Sequence, residues 1–481
     1  MSVLNFATVQ PWRSDEDLAR ILARQREAFR TLEPPTLAER RDDLEKLRQA
    51  VRSNAGRIAQ VISADFGNRS RHDTLVGDVW PVLAAIRHTL KHLPRWMKPK
   101  PVPAGIELSL GNARILYQPL GVVGIISPWN YPLQLALTPL MSALAAGNRV
   151  MLKPSELTPR TSEFLAELLA RLFPAEKVAT VLGDADVGAA FARLPFDHLL
   201  FTGSTTVGRL VMQAAAENLT PVTLELGGKS PGIIGDGARL PAAAESIAYG
   251  KLMSAGQTCI APDYVLVPEA LREQFISLVA EAVKKFYPTL KANPDYGSII
   301  NERHYRRIQQ YVDEARHKGA RVIELNPAGE ALVPEERKLP PTLVVEPADE
   351  LALMREEVFG PVLPIRSYRR IEQAIDYVNR RPRPLALYYF GNDKAQRDQV
   401  LRRTISGGVS VNNTLVHFLV NDLPFGGVGA SGMGAYHGEF GFQTFSHRKG
   451  VFQQSRINSS ILLRPPFGRL TNFILKLLMS R

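Results

Sequence analysis

The chain has 481 residues, which is too long for one simple hydrophobic core and predicts two or three domains. Hydrophobic residues make up 45% and charged residues 22%, the composition of a soluble globular protein. The single cysteine excludes an intramolecular disulfide, and the N-terminus has no apolar secretory segment, so we expect a cytoplasmic protein.

The net charge of +12 raises nucleic-acid binding as one interpretation. However, basic residues are mixed with acidic ones, as in the run AERRDDLEKLRQAVR, and form no long basic block with interleaved aromatic residues. This pattern favours solvated helix faces, and we expect no nucleic-acid partner. His88 and His92 are one helical turn apart but have no third ligand, so no metal site is predicted.

Apolar residues at helical spacing predict helices from about Asp15 to Leu93. A proline-rich link, KPKPVPAG, ends this part, and the next stretch, IELSLGNARILYQP, predicts a β-hairpin turning at Gly111-Asn112. From Gly121 onward, apolar strands alternate with helices, and the alternation resumes after Cys259. The sequence therefore predicts two α/β units with parallel sheets, whose ligands bind at the carboxyl ends of the strands.

The stretch from Thr223 to Asp263 contains the only cysteine, Cys259, and a carboxylate, Glu225, at the end of an apolar strand. A lone cysteine in an intracellular protein is commonly a small buried hydrophobic residue. Here it follows a helix at a Gly-Gln-Thr-Cys junction, where a thiol can face a cleft together with its own backbone N–H. A thiol nucleophile with a nearby carboxylate base suits covalent catalysis on a carbonyl group.

The segments Glu-Leu-Gly-Gly-Lys-Ser-Pro and Gly-Gln-Thr-Cys resemble the two active-site motifs of the aldehyde dehydrogenase superfamily, with Cys259 34 residues after Glu225. The resemblance covers nearly the whole chain, to about Val451. It implies a Rossmann-like cofactor domain, an α/β catalytic domain and a small β oligomerisation element. The predicted domains are 1–98 and 119–225 for NAD binding, 226–412 for catalysis with Cys259, 99–118 and 443–460 for oligomerisation, and 461–481 as an amphipathic tail.

The stretch from Phe201 to Gly208 follows a strand and opens a helix. Its glycines permit close backbone approach, and a helix N-terminus offers N–H groups to a pyrophosphate. The stretch resembles the FTGS-x-x-x-G cofactor loop of the family. By this match the cofactor is bound by Gly203, Ser204 and Gly208, together with Pro128 and Trp129 of the family's PWN motif.

Two further segments match cofactor motifs of the family. The resemblance implies that Lys153 contacts the adenosine ribose and that Glu156 binds the ribose hydroxyls. A carboxylate there disfavours a 2′-phosphate, so NAD is expected and NADP is the alternative. The segment from Glu357 to Pro361 resembles the EE-x-FGP motif, which implies that Glu357 binds the nicotinamide ribose and Phe359 packs near the nicotinamide, although Phe359 could equally belong to the core.

Asn130 lies between two prolines, a pattern that alone is typical of a turn. In the family, the Asn of the PWN motif donates to the substrate oxygen, and with the Cys259 N–H it completes an oxyanion hole. The implied reaction is attack by Cys259 on an aldehyde, loss of hydride to nicotinamide, and hydrolysis of the thioester by a water that Glu225 activates.

The segments KPSE, CIAPDYV and PFGGVGASGMGAYHGEFGFQTFSH resemble the class 3 branch, whose members are typically homodimers. The stretch DFGNRSRHDTLVGDVW and the RPPFG tail look most like bacterial coniferyl aldehyde dehydrogenases, which implies oxidation of coniferyl aldehyde to ferulate. Tyr131, Thr258 and His417 are candidate substrate-pocket residues by position.

Three alternatives stay open at this stage. The first is a medium- or long-chain fatty aldehyde substrate, which the apolar face of the tail would suit; that face either packs on protein or contacts a membrane surface. The tail face consists of Leu470, Phe473, Ile474, Leu477 and Leu478. The second is a CoA-acylating dehydrogenase, which Glu225 disfavours because that branch generally lacks the water-activating carboxylate. The third is a non-catalytic protein that binds nucleic acid, suggested only by the net charge.

Overall fold

The structure is a computed structural model that describes residues 15–105, 108, 111–456, 458, 461 and 464–480. The helices are α1 (Asp15–Thr31), α2 (Leu37–Ser53), α3 (Ala55–Phe66), α4 (Arg71–Thr74), α5 (Trp80–Trp96), α6 (Gln134–Ala146), α7 (Pro159–Leu172), α8 (Ala185–Ala192), α9 (Thr205–Ala216), α10 (Leu240–Leu252), α11 (Arg272–Phe286), α12 (Glu302–His317), α13 (Ala352–Arg355), α14 (Ile371–Asn379), α15 (Lys394–Arg403), α16 (Gly438–Thr444) and α17 (Arg469–Met479). A π-helical turn, Leu75–Val79, joins α4 to α5.

The strands are β1 (Lys100–Val102), β2 (Asn112–Pro119), β3 (Val122–Ile126), β4 (Arg149–Lys153), β5 (Val178–Thr180), β6 (His198–Thr202), β7 (Val222–Glu225), β8 (Pro231–Ile234), β9 (Tyr264–Pro268), β10 (Arg321–Glu324), β11 (Thr342–Val345), β12 (Val362–Tyr368), β13 (Ala386–Phe390), β14 (Gly408–Val411), β15 (Gly432–Met433) and β16 (Ser446–Gln453). They form three sheets. Two of these sheets are the largely parallel sheets that the alternation of strands and helices predicts.

The first large sheet has the strand order β15-β7-β6-β3-β4-β5, and the second has the order β10-β11-β12-β9-β8-β13-β14. Strands within each sheet pair in parallel except at one edge, where β15 runs antiparallel to β7 and β10 antiparallel to β11. The first sheet is built from the predicted cofactor-binding segment, with one late addition. Residues 432–433 return from beyond the second sheet to pair with β7.

The third sheet is small and has the order β1-β2-β16, with both pairs antiparallel. The hairpin expected around Gly111-Asn112 is wrong in one respect, because the partner of β2 on that side is Lys100–Val102 in the proline-rich link. Most of the predicted first hairpin strand, at residues 106, 107, 109 and 110, lies outside the described residues. The other neighbour of β2 is β16, which pairs with it over its whole length.

Two strands of the second sheet were not anticipated. β8 has only four residues, begins with Pro231 and contains a glycine, so its apolar run is too short to stand out. β12 contains Pro364 and Arg366, which interrupt its apolar pattern. Both are internal strands whose pairing partners stabilise them whatever their local propensity.

The tail helix α17 lies on the surface. Phe473 is 65% exposed and Met479 78%, whereas Thr471 is buried. No helix among the described residues is both long and apolar enough to cross a bilayer. The apolar face of α17 is therefore largely uncovered in the single chain.

Candidate active site

The chain leaves α10 through three consecutive residues with left-handed backbone angles, Ser254 (φ 53°), Ala255 (φ 52°) and Gly256 (φ 78°). Left-handed angles are unfavourable for non-glycine residues, so the surrounding structure must hold the turn. At Gly256 a Cβ would lie 2.3 Å from the Gly360 carbonyl oxygen, so only glycine fits there. The turn aims the following residues, including Cys259, back across the end of α10.

Gln257 secures this turn from inside. Its side-chain amide donates to the carbonyls of Ser254 and Ser298, both at 3.0 Å, and its oxygen accepts the N–H of Ile300 at 2.9 Å. The residue is fully buried, and all three hydrogen bonds involve main-chain atoms. Gln257 therefore fixes the backbone two positions before Cys259.

Cys259 is half-buried and lines two adjoining spaces. The larger is a cavity of about 990 Å³ between the two large sheets, with a wall that combines apolar surface and charged side chains such as Glu225 and Glu357. Its walls include many of the predicted site residues: Pro128, Trp129, Asn130, Gly203, Ser204, Glu225, Cys259, Glu357 and Phe359. The predicted nucleophile, base, oxyanion donor and several cofactor residues thus share one cavity.

The smaller space is an apolar pocket of about 40 Å³ on the other side of the sulfur. It is lined by Gly77, Tyr131, Gln134, Leu135, Met253, Thr258, Cys259, Ile260, Leu415, Phe418 and Phe425. Three of these residues present aromatic rings. The thiol accordingly borders both the large cavity and a narrow, mostly hydrophobic slot.

Asn130 is buried in the wall of the large cavity. Its side-chain amide donates to the Gln257 carbonyl at 3.2 Å, which holds it near the turn that carries Cys259. The backbone N–H groups of Cys259 and Ile260 lie against the sulfur. An amide donor and a backbone donor therefore flank the thiol, the two components that an oxyanion hole needs.

Glu225 ends β7 and is buried in the cavity wall. Its neighbour across the sheet edge is Gly432, and the Gly427 N–H contacts its carboxylate. The Oε1 atom has no hydrogen-bond partner among the described residues. Burial raises the pKa of Glu225 to about 8, so this carboxyl group can exchange a proton near neutral pH.

The pKa of the Cys259 thiol is also raised above its ordinary value. Burial raises its pKa, and the charges of Glu225 and Glu357 raise it further, while the neighbouring N–H groups act in the opposite direction. The site thus holds the thiol proton more tightly than a free cysteine does. Attack on a carbonyl requires the proton to leave as the nucleophile forms.

Glu357 and Phe359 lie opposite Cys259 in the large cavity. Burial and the charge of Asp263 raise the pKa of Glu357 to about 8. Phe359 has a positive φ of 49° and packs its ring edge-on against Trp129, with centroids 5.3 Å apart. The Phe359 ring thus forms part of the cavity wall, which agrees with the cofactor-side placement that the motif implies.

The predicted phosphate loop opens α9. Ser204 is the N-cap of this helix, and its hydroxyl accepts the N–H of Val207 at 3.3 Å. Gly208 does not line the cavity; a Cβ at this position would lie 2.6 Å from Leu226, so the glycine allows α9 to approach the chain after Glu225. Gly203, Ser204 and the first residues of α9 do line the cavity.

Lys153 and Glu156 form an ion pair of 3.1 Å after β4. The Lys153 side chain is 3% exposed and that of Glu156 is 40% exposed. Neither lies in the wall of the large cavity around Cys259. The two residues stand at the carboxyl end of a neighbouring strand, farther from the thiol.

Among the cavity residues that the sequence did not mark are His304 and Arg307 of α12. His304 packs against Trp129 at 5.3 Å between ring centroids, and Arg307 donates to the carbonyls of Glu357 (3.1 Å) and Val358 (2.9 Å). They lie one turn apart on the same face of α12, and this face is directed at the cavity. In the sequence they look like part of a solvated helix, because no motif marks them.

The three candidate pocket residues have different positions. The hydroxyls of Tyr131 and Thr258 share a hydrogen bond of 2.7 Å, and both residues line the apolar pocket. His417 lines neither space. It is buried behind Phe425, with the rings stacked at 6.0 Å, and its Nδ1 is 2.9 Å from the Ser410 hydroxyl. Burial lowers the pKa of His417 to about 4, so a neutral imidazole supports Phe425 from behind.

Residues 5–451 match the family model described as the aldehyde dehydrogenase family. The chain belongs to the aldehyde dehydrogenase family. It is 49% identical over 470 residues to a coniferyl aldehyde dehydrogenase of a Pseudomonas species, covering 97% of each chain. Among solved structures, the substrate-bound state of Staphylococcus aureus AldH superposes with a TM-score of 0.91 at 36% identity, covering 97% of this chain and 100% of that one.

An NAD⁺ complex of an aldehyde dehydrogenase from Bacillus cereus is a more distant structural relative, with a TM-score of 0.83 at 27% identity over 92% of this chain and 89% of that one. The family membership inferred from the motifs around Glu225 and Cys259 is confirmed by the family model. The predicted α/β aldehyde dehydrogenase fold is confirmed by the structural relatives.

Proposed function

We propose that this enzyme oxidises coniferyl aldehyde to ferulate with a nicotinamide dinucleotide, through a covalent thioester on Cys259. The observation that carries the proposal is the position of that sulfur. It lies between a cavity large enough for a dinucleotide and a narrow apolar slot lined by the rings of Tyr131, Phe418 and Phe425, against which the ring of an aromatic substrate can pack. A named coniferyl aldehyde dehydrogenase at 49% identity supports the same substrate.

The large cavity fits a dinucleotide. The Thr202 hydroxyl is buried in its wall without a partner among the described residues, so a polar ligand can satisfy it. The start of α9 directs N–H groups toward the same space, where they favour a phosphate. When bound, a nicotinamide dinucleotide supplies the hydride acceptor.

Glu156 supports NAD rather than NADP as the cofactor. Its carboxylate is partly exposed beside Lys153 at the end of β4, where the family motif places the adenosine ribose. A negative charge there repels a 2′-phosphate. The ratio of kcat/KM for the two cofactors, measured with Glu156→Gln beside the wild type, tests this assignment: the ratio should shift toward NADP in the variant.

The residues of the site divide the reaction between them. Cys259 attacks the aldehyde carbon, and its proton passes to solvent water in the cavity as the C–S bond forms. The Asn130 amide and the Cys259 N–H donate to the oxygen, which stabilises the negative charge of the tetrahedral adduct. After loss of hydride from carbon, the acyl group remains on sulfur.

Glu225 then completes the turnover. With a pKa raised to about 8 by burial, its carboxylate accepts a proton from water more readily than an ordinary carboxylate. The hydroxide equivalent attacks the thioester carbon, the C–S bond breaks as protonated Glu225 returns its proton to the leaving sulfur, and the acid departs from the restored thiol. A CoA-acylating enzyme would not need this carboxylate, so Glu225 supports hydrolysis.

The uncovered apolar face of α17 favours a second candidate substrate, a medium- or long-chain aliphatic aldehyde. This face, flanked by Arg469 and Lys476, also suits contact with an anionic membrane surface. Binding to vesicles containing anionic lipid, compared between the wild type and Phe473→Glu, tests the contact; equal binding by the two proteins would contradict it.

The assembly and location follow from the same features. The small sheet has β1 and β16 as its edges, and each has a partner on one side only among the described residues, so a second copy can extend the sheet. We expect a homodimer, which light scattering of the eluted protein will detect. Cys259 must remain a free thiol to react, which suits the reducing cytoplasm.

The deciding experiment is a panel of aldehydes monitored by NADH absorbance. Coniferaldehyde should give the highest kcat/KM, and a preference for decanal above about tenfold would favour the aliphatic alternative. An acid product formed without CoA distinguishes hydrolysis from CoA acylation. Absence of NADH with every aldehyde, together with salt-sensitive DNA binding, would contradict the enzymatic assignment.

A further inference from the structure

A buried ion pair lies behind the active site. The Nη2 atom of Arg69 is 3.0 Å from Asp78 Oδ2, and the two side chains are 1% and 0% exposed. Asp78 belongs to the π-helical turn Leu75–Val79, and Arg69 stands before α4. Neither residue lines the cavity or the pocket, so neither is accessible to substrate.

The pair holds the loop of Asn130 from two sides. Arg69 Nη1 donates to the main-chain carbonyl of Asn130. Asp78 Oδ1 accepts the N–H groups of Leu133 and Gln134, both at 3.1 Å, where α6 begins. The short segment that carries the Asn130 amide is thus held at Asn130 itself and at the start of α6.

The same guanidinium also contacts the pocket. It lies over the Tyr131 ring, 4.6 Å from the ring centroid, and over the Phe66 ring at 5.0 Å. The Tyr131 hydroxyl in turn bonds Thr258, the residue before Cys259. Nearby on the same stretch of chain, Asp73 accepts the Ser254 N–H at 2.9 Å and anchors the left-handed turn. Residues 69–78 therefore touch both halves of the site.

Stability alone does not explain such a pair. Removing two charges from water is unfavourable, and a buried ion pair is often no better for stability than neutral residues of similar size. The Arg69 Nε atom is buried without a partner among the described residues, which adds to the desolvation penalty. The pair is better explained by the positions it fixes. The planar guanidinium of Arg69 contacts the Asp78 carboxylate, the Asn130 carbonyl and two aromatic rings at the same time, which holds these groups in one arrangement.

We propose that Arg69, held by Asp78, is a positioning residue that sets the Asn130 amide against the carbonyl oxygen of the substrate. This inference rests on the proposed function, since it concerns the oxyanion of that reaction. Loss of Arg69 lets the Asn130 turn shift without touching the sulfur. A misplacement of about 1 Å in such a site lowers turnover by about 10²-fold.

The test replaces both charges together with Arg69→Met/Asp78→Asn. The asparagine oxygen still accepts the two N–H groups at the start of α6, and neither member of the pair is left as a charge without its partner. We expect kcat with coniferaldehyde, or with the best aldehyde of the panel, to fall by about 10²-fold. KM for the aldehyde and the rate of Cys259 alkylation by iodoacetamide should stay within about threefold, because Arg69 and Asp78 line neither the cavity nor the pocket.

A matched control is Lys177→Met/Asp43→Asn, which removes a partly buried ion pair distant from the cavity and should leave kcat unchanged. If the double variant does not fold, Arg69→Lys serves instead, since a lysine keeps the charge but lacks the planar fork that joins Asp78 to Asn130. It should lower kcat by at least about tenfold at nearly unchanged melting temperature.

A folded variant with kcat within threefold of the wild type would overturn the positioning role. So would alkylation of Cys259 slowed in parallel with kcat, because that result indicates a general distortion of the site. These results differ from failure of the proposed function, in which the wild type itself produces no NADH with any aldehyde.

Discussion

The side-chain amide of Asn130 donates a 3.2 Å hydrogen bond to the main-chain carbonyl of Gln257, two residues before Cys259. The bond connects the loop after β3 to the turn after α10. Gln257 therefore holds both Asn130, the proposed oxyanion donor, and the segment that leads to Cys259, the proposed nucleophile. Because Gln257 is itself held by three hydrogen bonds to the main chain, this connection is rigid. Substrate oxygen can compete with the Gln257 carbonyl for the same amide.

Asn130→Ala should therefore impair turnover far more than substrate binding. Loss of one oxyanion donor lowers kcat by about 10²- to 10³-fold, or about 2.7–4 kcal/mol. Steady-state kinetics with coniferaldehyde will measure the change. An Asn130→Ala enzyme with kcat within a factor of five of the wild type would show that this amide does not contact the developing charge.

Cys259→Ser should nearly abolish hydride transfer, because a serine hydroxyl in the same apolar surroundings is a much weaker nucleophile than a thiol. The substitution is nearly isosteric, and the melting temperature should change little. NADH absorbance in a single turnover is the measurement. Retained NADH formation would mean that another group attacks the aldehyde.

Glu225→Gln should separate the two halves of the reaction. Attack by Cys259 and hydride loss continue, whereas hydrolysis of the thioester slows, so NADH should appear as a burst of about one equivalent without turnover. Rapid mixing with coniferaldehyde will show it. Glu217→Gln, at the exposed end of α9, is the control and should turn over normally.

The hydrolysis step should depend on pH in a stated direction. Burial raises the pKa of Glu225 to about 8, and a general base must be deprotonated to accept a proton. The rate of acyl-enzyme decay should thus rise between about pH 6 and 8 and level off above about pH 9. In Glu225→Gln the rise should disappear. A decay rate that falls with pH over this range would contradict the assignment.

Gly208→Ala should weaken cofactor binding indirectly. The added Cβ would lie 2.6 Å from the buried Leu226 side chain, so either that side chain or α9 must shift. Overpacking of this kind is destabilising by about 1–3 kcal/mol, and KM for NAD should rise as the helix N-terminus shifts. Gly188→Ala in α8 is the matched control, because its nearest neighbour would be 3.8 Å away. A melting temperature unchanged in both variants would contradict the packing argument.

The sequence predicted the parts of the site that lie in contiguous motifs. Cys259, Glu225 and Asn130 each end a strand or follow a helix within a recognisable motif, and the parallel topology brings such ends together. His304 and Arg307 could not be found in this way. They reach the cavity only because α12 packs with that face inward, which depends on tertiary contacts that single-sequence periodicity does not contain.

Tertiary contacts also decide the burial of single residues and the formation of short strands, which the sequence alone did not predict. Arg69 and Asp78 look like two more charges in a helical region rich in charge, and only their burial distinguishes them. β8 and β12 have weak local patterns and owe their conformation to neighbours in the sheet. His417 has the sequence position of a pocket residue, but the Phe425 ring lies between it and the space beside Cys259.

The return of Gly432 and Met433 to the edge of β7 has a consequence for synthesis on the ribosome. Until that late segment emerges, the strand that ends in Glu225 presents unpaired N–H and carbonyl groups along one side. A nascent or prematurely ended chain thus displays an open sheet edge, which is a template for association with other chains. The edge closes only once residues 432 and 433 of the 481 are made, so a chain cut short before that point should associate with other chains more readily than the full chain.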